Sequence, residues 1–238
     1  MEIKGRSWPF YTGEVILTDL MGGDLSVANS ARVSFNQKSE VLADKDKKLI
    51  KYLSDHLHMS PFRHCSLQLT FQKIPEVLAR QAFKHITGFG ITSQEFRESA
   101  TVWNEISGRY VELPTEFFTP KSFRKQSKNN KQASDPETLV EDQEKALSIY
   151  RNAQDQLGEA YRSLLALGVC KEQARFLLPM SFLTSWVWTG SLEAFVRFVR
   201  LRNHPGAQYE MVELARIVEE IVRLVAPVST TALLGEPK

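Results

Sequence analysis

The stretch from His64 to Ile74, "HCSLQLTFQKI", decides the fold, because its side chains alternate between apolar and polar. Leu67, Leu69 and Phe71 fall on one face, and the serine, glutamine and threonine residues between them fall on the other. Successive side chains of a β-strand point to opposite faces of a sheet. The stretch therefore predicts a strand with one buried face.

The segments around this strand predict helices and a second strand. Residues 44–58 carry apolar side chains at helical spacing, and Ser60-Pro61 is expected to end that helix. Pro75 begins a further helical stretch, "PEVLARQAFKHI". Upstream, residues 14–19 alternate in the manner of a short strand.

The second half of the chain is predicted to be mainly helical. Apolar stripes at helical spacing precede Gly168 and recur over about residues 171–178, 191–202 and beyond Pro205-Gly206. Residues 124–138, "RKQSKNNKQASDPET", contain no large apolar side chain, so we expect an exposed loop, with the next helix beginning at Asp135-Pro136.

The order of these elements predicts an α+β fold, with one mainly antiparallel sheet flanked by a helical bundle. We expect a single domain over residues 1–238, with mobile segments at 87–103 and 124–138.

The composition argues against several classes of protein. A formal net charge of +2 gives no general basic character, which argues against a nucleic-acid partner. Two cysteines make neither a disulfide framework nor a zinc site, and the histidines lack metal-ligand spacing. No run approaches the roughly 18 apolar residues of a membrane span, and the N-terminus lacks the apolar core of a signal peptide. We therefore expect a cytoplasmic protein without a metal or a membrane partner.

Basic side chains cluster on the predicted helix "ARQAFKHI". Arg80 and Lys84 are four residues apart and share a face, and Gln81 and His85 share a neighbouring one. Like charges at this spacing repel unless an anion lies between them. The pattern fits a phosphate site, but from the spacing alone a solvated basic face is the better explanation.

The stretch from Trp103 to Leu113, "WNEISGRYVEL", presents a similar choice. Gly108 allows a backbone to approach a ligand, and Arg109 can bind a phosphate through two hydrogen bonds. Ser107 can donate and accept, and Glu105 can pair with Arg109 or accept from a base N–H. Alone, the motif also fits a polar turn with a local ion pair.

Arginines recur in the later helices, without a nucleophile to accompany them. Arg175 stands among apolar residues in "EQARFLLP", where a guanidinium needs a partner. Arg202 is at a predicted helix end, where complementing the helix dipole would also explain it. Cys65 is predicted to be a buried thiol and Cys170 has no base nearby in sequence. Arginines without a nucleophile favour binding of phosphorylated ligands, with an organic cofactor supplying the reactivity.

Several motifs in the same order resemble the flavin-dependent thymidylate synthases, the ThyX family. They are "MGGDLSVANSARVSF", "HLHMSPFRHCSLQLTF", "IPEVLARQAFKH", "NEISGRYVEL", "ARFLLP" and "LRNHPGAQYEM". The resemblance implies conversion of dUMP to dTMP, with FAD as cofactor and with methylenetetrahydrofolate and NADPH as co-substrates. It also implies a homotetramer with its sites between subunits, and no enzyme nucleophile.

The resemblance extends to individual positions. It implies that Arg202 is the catalytic residue, because a fixed cation favours the ionised uracil N3. The residues expected to bind dUMP are Arg80, Gln81, Lys84, Glu105, Ile106, Ser107, Gly108, Arg109, Arg175 and Arg202. The residues expected to bind FAD are His58, Ser60, Lys84, His85, Ile86, Arg97, Ser191 and Arg197.

The chain departs from the family at the FAD residues. The third position of the family's R-H-R motif is Ile86, which removes a charge, and a long insert separates it from Asn104. Arg97 in this insert is expected to replace the missing arginine. Glu193 is expected to point away from the cofactor, unless the position of FAD itself has shifted. Two alternatives stay open: formation of another product such as 5-hydroxymethyl-dUMP, or a nucleotide-binding protein that has lost catalysis.

Overall fold

The computed structural model of the chain describes residues 3–86 and 103–237. The strands are β1 (Ser7–Phe10), β2 (Gly13–Met21), β3 (Ser66–Pro75), β4 (Trp103–Glu105), β5 (Arg124–Gln126), β6 (Ser134–Leu139) and β7 (Leu183–Ser191). The helices are α1 (Asp24–Arg32), α2 (Asp44–Asp55), α3 (Glu76–Ala82), α4 (Gln143–Ala166), α5 (Lys171–Ala174), α6 (Leu192–Arg202), α7 (Tyr209–Val225) and α8 (Pro227–Leu234).

A five-stranded sheet in the order β1–β2–β3–β7–β4 organises the molecule. Every neighbouring pair is antiparallel. Leu67, Leu69 and Phe71 of β3 are at most 1% exposed, which confirms the buried face predicted from the alternation. The predicted α+β architecture, with an antiparallel sheet and flanking helices, is confirmed.

The strand β7 lies between β3 and β4, and the sequence patterns did not reveal it. Trp186 and Trp188 on this strand are buried, and the Trp186 ring stacks on Phe71 with 4.5 Å between ring centroids. These aromatic side chains join the same core as the apolar face of β3. The strand also leads directly into α6 and so places that helix beside the sheet.

The main core forms where the apolar faces of α6 and α7 meet the sheet, with α1, α2 and α8 completing the helical layer. The side chain of Ser191 caps α6 by accepting a hydrogen bond from the Ala194 N–H at 3.2 Å. A smaller cluster beneath α4 contains Leu113, Tyr161, Ala174 and Phe182.

Residues 124–138 differ from the predicted loop, since β5 and β6 pair as a two-stranded antiparallel ladder. Arg124 anchors its base through Nη2, which lies 2.5 Å from a Glu210 carboxylate oxygen. Backbone pairing and this buried contact replace the missing apolar side chains. The following helix begins at Gln143, capped by Asp142, rather than at Asp135-Pro136.

Two predicted helices are shorter than expected. The second helix ends at Asp55 instead of reaching Ser60-Pro61, where a short 3-10 turn over Ser60–His64 follows. The stretch predicted at about 171–178 divides into α5 and a 3-10 turn over Arg175–Leu177. This change of helix type places Arg175 at the junction.

Candidate active site

Arg202 connects the end of α6 to the end of α3. Its Nε donates to His85 Nε2 at 2.8 Å, and its Nη2 donates to the backbone oxygen of Gln81 at 3.1 Å. Arg202 therefore does more than complement the dipole of its own helix. Two hydrogen bonds from a planar guanidinium fix its orientation between the helices.

His85 is neutral at pH 7. Burial, then the positive charges of Arg202 and Arg197, lower the pKa of the imidazole to about 4. Because Nε2 accepts the hydrogen bond from Arg202, the ring proton of the neutral form resides on Nδ1. The positive charge of this contact consequently belongs to Arg202.

Gln81 is tied to the start of α7. Its Nε2 donates to Gln208 Oε1 at 2.6 Å, and Gln208 Nε2 donates to Glu210 Oε2 at 3.0 Å. We name Gln81, His85, Arg202 and Gln208 the helix group. The structure thus brings together three of the predicted site residues and adds Gln208, which spacing in the sequence did not single out.

Other predicted residues of α3 and its C-terminal extension face solvent. Arg80 and Lys84 are exposed, and Ile86 is 63% exposed. The two cations stay available to an anionic ligand, as the basic-face pattern allowed. Ile86 offers an apolar surface where the family motif has a charge.

A tight turn follows β4 and holds a second set of predicted residues. The Ile106 N–H donates to the Ser185 backbone oxygen at 2.9 Å, and the Tyr110 N–H closes the turn on the Ser107 backbone oxygen at 3.0 Å. The Ser107 Oγ accepts from the Arg109 N–H at 3.3 Å. The sheet therefore extends to Ile106, and the turn presents the exposed Arg109 side chain.

Gly108 allows this turn to pack against Arg175. A Cβ at position 108 would lie 2.5 Å from Leu113 Cδ1 and 3.2 Å from Arg175 Cδ. Any larger residue would displace one of these side chains. We name Ser107, Gly108, Arg109 and Arg175 the turn group, since the structure brings these four predicted residues together.

Glu105 at the end of β4 joins an acidic pair that includes Glu76 of α3. Thr184 Oγ1 donates to Glu105 Oε1 at 2.5 Å. Burial, followed by the charge and hydrogen bond of Glu105, raises the Glu76 pKa to about 7, while Arg80 opposes the shift. Sequence reasoning missed Glu76, because only the fold places it beside Glu105.

Helix α6, with Arg197 and its cap residue Ser191, contacts the 3-10 turn over Ser60–His64. Both residues are expected to bind FAD. The buried Glu193 carboxylate accepts from Arg63 Nε at 2.5 Å, so Glu193 is paired rather than facing an open site. The Ser191 hydroxyl is used in the helix cap. His58, Ser60 and Arg197 are exposed, and Arg97 lies outside the described residues.

The helix group and the turn group remain separate within one chain. Among the described residues, 3–86 and 103–237, no hydrogen bond or ion pair links a residue of the helix group to a residue of the turn group. Arg109 instead pairs with Glu172 at 3.4 Å, and both side chains are exposed.

Neither the Cys65 thiol nor a metal cluster provides an alternative centre among the described residues. Cys65 is fully buried, and burial raises its pKa to about 12, which makes it a poor nucleophile at neutral pH. Residues 3–86 and 103–237 contain no cluster of side chains able to hold a metal ion. Within the same ranges, no helix has the length and apolar character needed to cross a membrane.

Comparison with known proteins places these residues in a family. Residues 16–228 match the family described as thymidylate synthase complementing protein. The flavin-dependent thymidylate synthase of Thermus thermophilus is 40% identical over 92% of this chain and 75% of its own length. That of Thermosipho melanesiensis is 36% identical over 87% of this chain and 86% of its own length.

A solved structure supports the same assignment. A UMP/dUMP methylase, PolB from Streptomyces cacaoi, bound with 5-Br dUMP, superposes with a TM-score of 0.76 at 25% identity, covering 92% of this chain and 93% of that chain. The family match, the curated relatives and the fold agree, and the chain therefore belongs to the flavin-dependent thymidylate synthase family.

Proposed function

We propose that this protein converts dUMP to dTMP, with FAD as cofactor, methylenetetrahydrofolate as the carbon donor and NADPH as the reductant. The observation that carries the proposal is the Arg202 guanidinium, which is half-buried and fixed by His85 and Gln81. Family membership supports the reaction.

Arg202 is the proposed catalytic residue. A guanidinium fixed beside the uracil stabilises negative charge that develops on N3 without reorganising during the reaction. Because His85 is neutral, it orients Arg202 without adding a second charge beside the ring. Burial slightly disfavours the charged form and lowers the Arg202 pKa, but an arginine stays protonated in proteins.

The turn group is the proposed phosphate site. Arg109 and Arg175 supply planar donors that suit phosphate oxygens, and the Ser107 hydroxyl lies in the same turn. Arg80 and Lys84 add positive charge near the helix group, while Ile106 and Gly108 shape the turn.

We propose that the two groups meet across a subunit boundary in a cytoplasmic homotetramer. Within one protomer each group is complete locally, yet no polar contact between the described residues joins them. A second copy that brings its turn group to the helix group of the first would form one nucleotide site from two half-sites.

The described residues also fit the pyrophosphate-containing cofactor that the family name implies. Arg63 and Arg197 are exposed cations, and the Glu193 carboxylate, which would repel a phosphate, is paired with Arg63. His58 and Ser60 supply further exposed polar side chains, and the Ser191 cap fixes the start of α6. When bound, the flavin supplies the electron transfer that no side chain can provide.

Ile86 favours one alternative product. Loss of a charge beside the proposed flavin changes the group that would guide the reduction step. If water rather than hydride reached the methylene adduct, the product would be 5-hydroxymethyl-dUMP. A protein without catalysis is the remaining alternative.

The test is product analysis by mass spectrometry. The purified protein is incubated with dUMP, methylenetetrahydrofolate and NADPH, with UMP as a parallel substrate. We expect a bound flavin spectrum and a product of the mass of dTMP. A hydroxymethyl product would establish the first alternative, and a colourless protein that binds dUMP without turnover would establish the second.

A further inference from the structure

A directional chain of hydrogen bonds runs from the β5–β6 ladder to Gln81. Arg124 Nη2 donates to Glu210 Oε1 at 2.5 Å, and Gln208 Nε2 donates to the other carboxylate oxygen at 3.0 Å. Gln81 Nε2 then donates to Gln208 Oε1 at 2.6 Å. We name Arg124, Glu210 and Gln208 the relay.

The charged end of the relay fixes the direction of every bond in it. An arginine only donates, and a carboxylate only accepts. Gln208 must therefore turn its amide nitrogen toward Glu210, which leaves its carbonyl oxygen facing Gln81. Gln81 must in turn present its own nitrogen to Gln208, and its Oε1 points away from the relay.

The relay is held firmly at its origin. The Arg124 and Glu210 side chains are 14% and 6% exposed, respectively. The Arg124 Nε also donates to Ser134 Oγ at 2.9 Å, and its guanidinium lies 4.3 Å from the centre of the Tyr209 ring. Burial, a second hydrogen bond and the cation–π contact keep Arg124 from rotating away from Glu210.

We propose that the relay is a positioning device that orients the Gln81 amide so that Oε1 accepts a hydrogen bond from the bound nucleotide. The inference rests on the proposed function, since the ligand is dUMP. Gln81 touches the ligand, whereas Arg124, Glu210 and Gln208 act through it. Two donors of dUMP share the required chemistry, the uracil N3–H and the sugar 3′ hydroxyl.

The side-chain Oε1 of Gln81 lies in the helix group. The backbone oxygen of the same residue accepts a hydrogen bond from Arg202. A flipped side-chain amide would present a donor to the nucleotide instead of an acceptor. The hydrogen bond from the nucleotide to Gln81 Oε1 would then be replaced by two donors facing each other. Loss of one such bond weakens binding by about 3- to 10-fold.

A double-mutant cycle on the flavin-loaded enzyme tests the relay, with the dUMP dissociation constant measured by calorimetry. Gln208→Met removes the middle of the relay without a buried charge, and Gln81→Met removes its end. We expect each variant to bind dUMP about 3- to 10-fold more weakly, and the double variant to bind no more weakly than Gln81→Met. If the double variant instead weakened dUMP binding by the product of the two single effects, the relay would be contradicted.

Two further variants separate orientation from simple packing. Glu210→Gln keeps the shape but allows the amides to flip, and it is expected to match Gln208→Met in dUMP affinity. Arg124→Lys retains a cation at Glu210 and is expected to restore most of the affinity lost in Arg124→Met. Gln154→Met serves as a matched control, since Gln154 is a buried glutamine that donates to Phe118 O at 2.8 Å and lies outside the relay.

A change of ligand in the double-mutant cycle identifies which group of dUMP donates to Gln81 Oε1. The same measurements distinguish failure of the relay from failure of the proposed function. Repeating it with 2′,3′-dideoxyuridine monophosphate removes the sugar hydroxyl. Coupling that disappears assigns the sugar, and coupling that persists assigns the uracil N–H. Wild-type enzyme that fails to bind dUMP would overturn the proposed function as well, whereas binding with an additive cycle would overturn the relay alone.

Discussion

The helix group and the turn group are held in place by different interactions. In the helix group, side chains bind one another, so that Arg202 and Gln81 already have fixed orientations. In the turn group, the backbone is fixed by close packing at Gly108, while the exposed Arg109 side chain forms a surface pair with Glu172. We therefore propose that the helix group is already ordered before a ligand binds, and that the ligand orders the arginine side chains of the turn group.

The difference matters because the two halves of a nucleotide need different treatment. Charge developing on a base during reaction is stabilised best by donors that do not move. A phosphate carries its charge throughout and can order flexible arginines when it binds. We therefore propose that the helix group binds the base and that the turn group binds the phosphate.

The largest expected effect follows from removing the fixed cation. Arg202→Met should lower kcat by about 100- to 1000-fold, the loss typical of one preorganised electrostatic donor. The free energy of unfolding should change little by comparison, and steady-state kinetics with thermal unfolding measure both. Arg200→Met is the matched control on the same helix, since Arg200 donates to the Leu233 backbone oxygen. A control as inactive as Arg202→Met would contradict a specific role for Arg202.

Filling the space at Gly108 should damage the turn group next most strongly. Gly108→Ala places a Cβ 2.5 Å from Leu113 Cδ1 and should lower the free energy of unfolding by about 1–3 kcal/mol. The dUMP dissociation constant should rise as Arg175 is displaced. Adding Leu113→Ala makes room for the new methyl group and should recover part of the affinity, as calorimetry would reveal. No recovery would mean that packing at Leu113 does not position Arg175.

The acidic pair between the groups gives a prediction about pH. Glu76 has a pKa raised to about 7 from 4.5, so the folded protein binds more protons than the unfolded chain between these values. Its contribution to stability is present below pH 4.5 and is lost as the pH rises through 7. Because Glu76 is only partly buried and solvent screens its charge, Glu76→Gln should stabilise the protein by about 1–2 kcal/mol at pH 8 and have a smaller effect near pH 5.

Chemical denaturation at the two pH values measures this difference. Glu112→Gln, at an exposed position, provides the control and should show no pH-dependent gain. An equal gain for Glu76→Gln at both pH values would show that the Glu76 carboxyl does not titrate as stated.

The smallest effect on stability is expected at Arg109. Its pair with Glu172 is exposed on both sides, and such pairs contribute about 0–1 kcal/mol. Arg109→Met should leave the thermal midpoint nearly unchanged while raising KM for dUMP by about 10-fold. Glu172→Gln removes the partner but not the arginine and should leave KM unchanged. A large loss of stability in Arg109→Met would mean that the turn is held by this side chain after all.

The sequence predicts the local elements better than their arrangement. Alternation identifies β3, and apolar periodicity identifies α6 and α7, because each pattern follows from one element's own geometry. The strand β7 is harder to find from "LTSWVWTGS", because the buried face that carries Trp186 and Trp188 also carries Thr184 and Gly190, while the apolar Val187 lies on the opposite face. The β5–β6 ladder was missed because backbone pairing and Arg124 stabilise it without an apolar face.

The candidate site shows the same division. Motif resemblance points to Arg202, Gln81 and the turn group, which the fold brings into two clusters. Gln208 and Glu76 lie within two of the quoted motifs, but the resemblance gave neither of them a role. Gln208 pairs with Gln81, which lies 127 residues earlier, and Glu76 of α3 lies beside Glu105 of β4, so only the tertiary fold defines these contacts.

We propose that each nucleotide site combines the helix group of one protomer with the turn group of another. Differently tagged Arg202→Met and Arg109→Met/Arg175→Met chains are co-expressed, and hybrids carrying both tags are assayed for dTMP formation. Sites shared between protomers would restore activity to about a quarter of the wild-type level, because half of the subunit pairs are mixed and one of their two sites is intact. Hybrids as inactive as the two parent variants would contradict the claim.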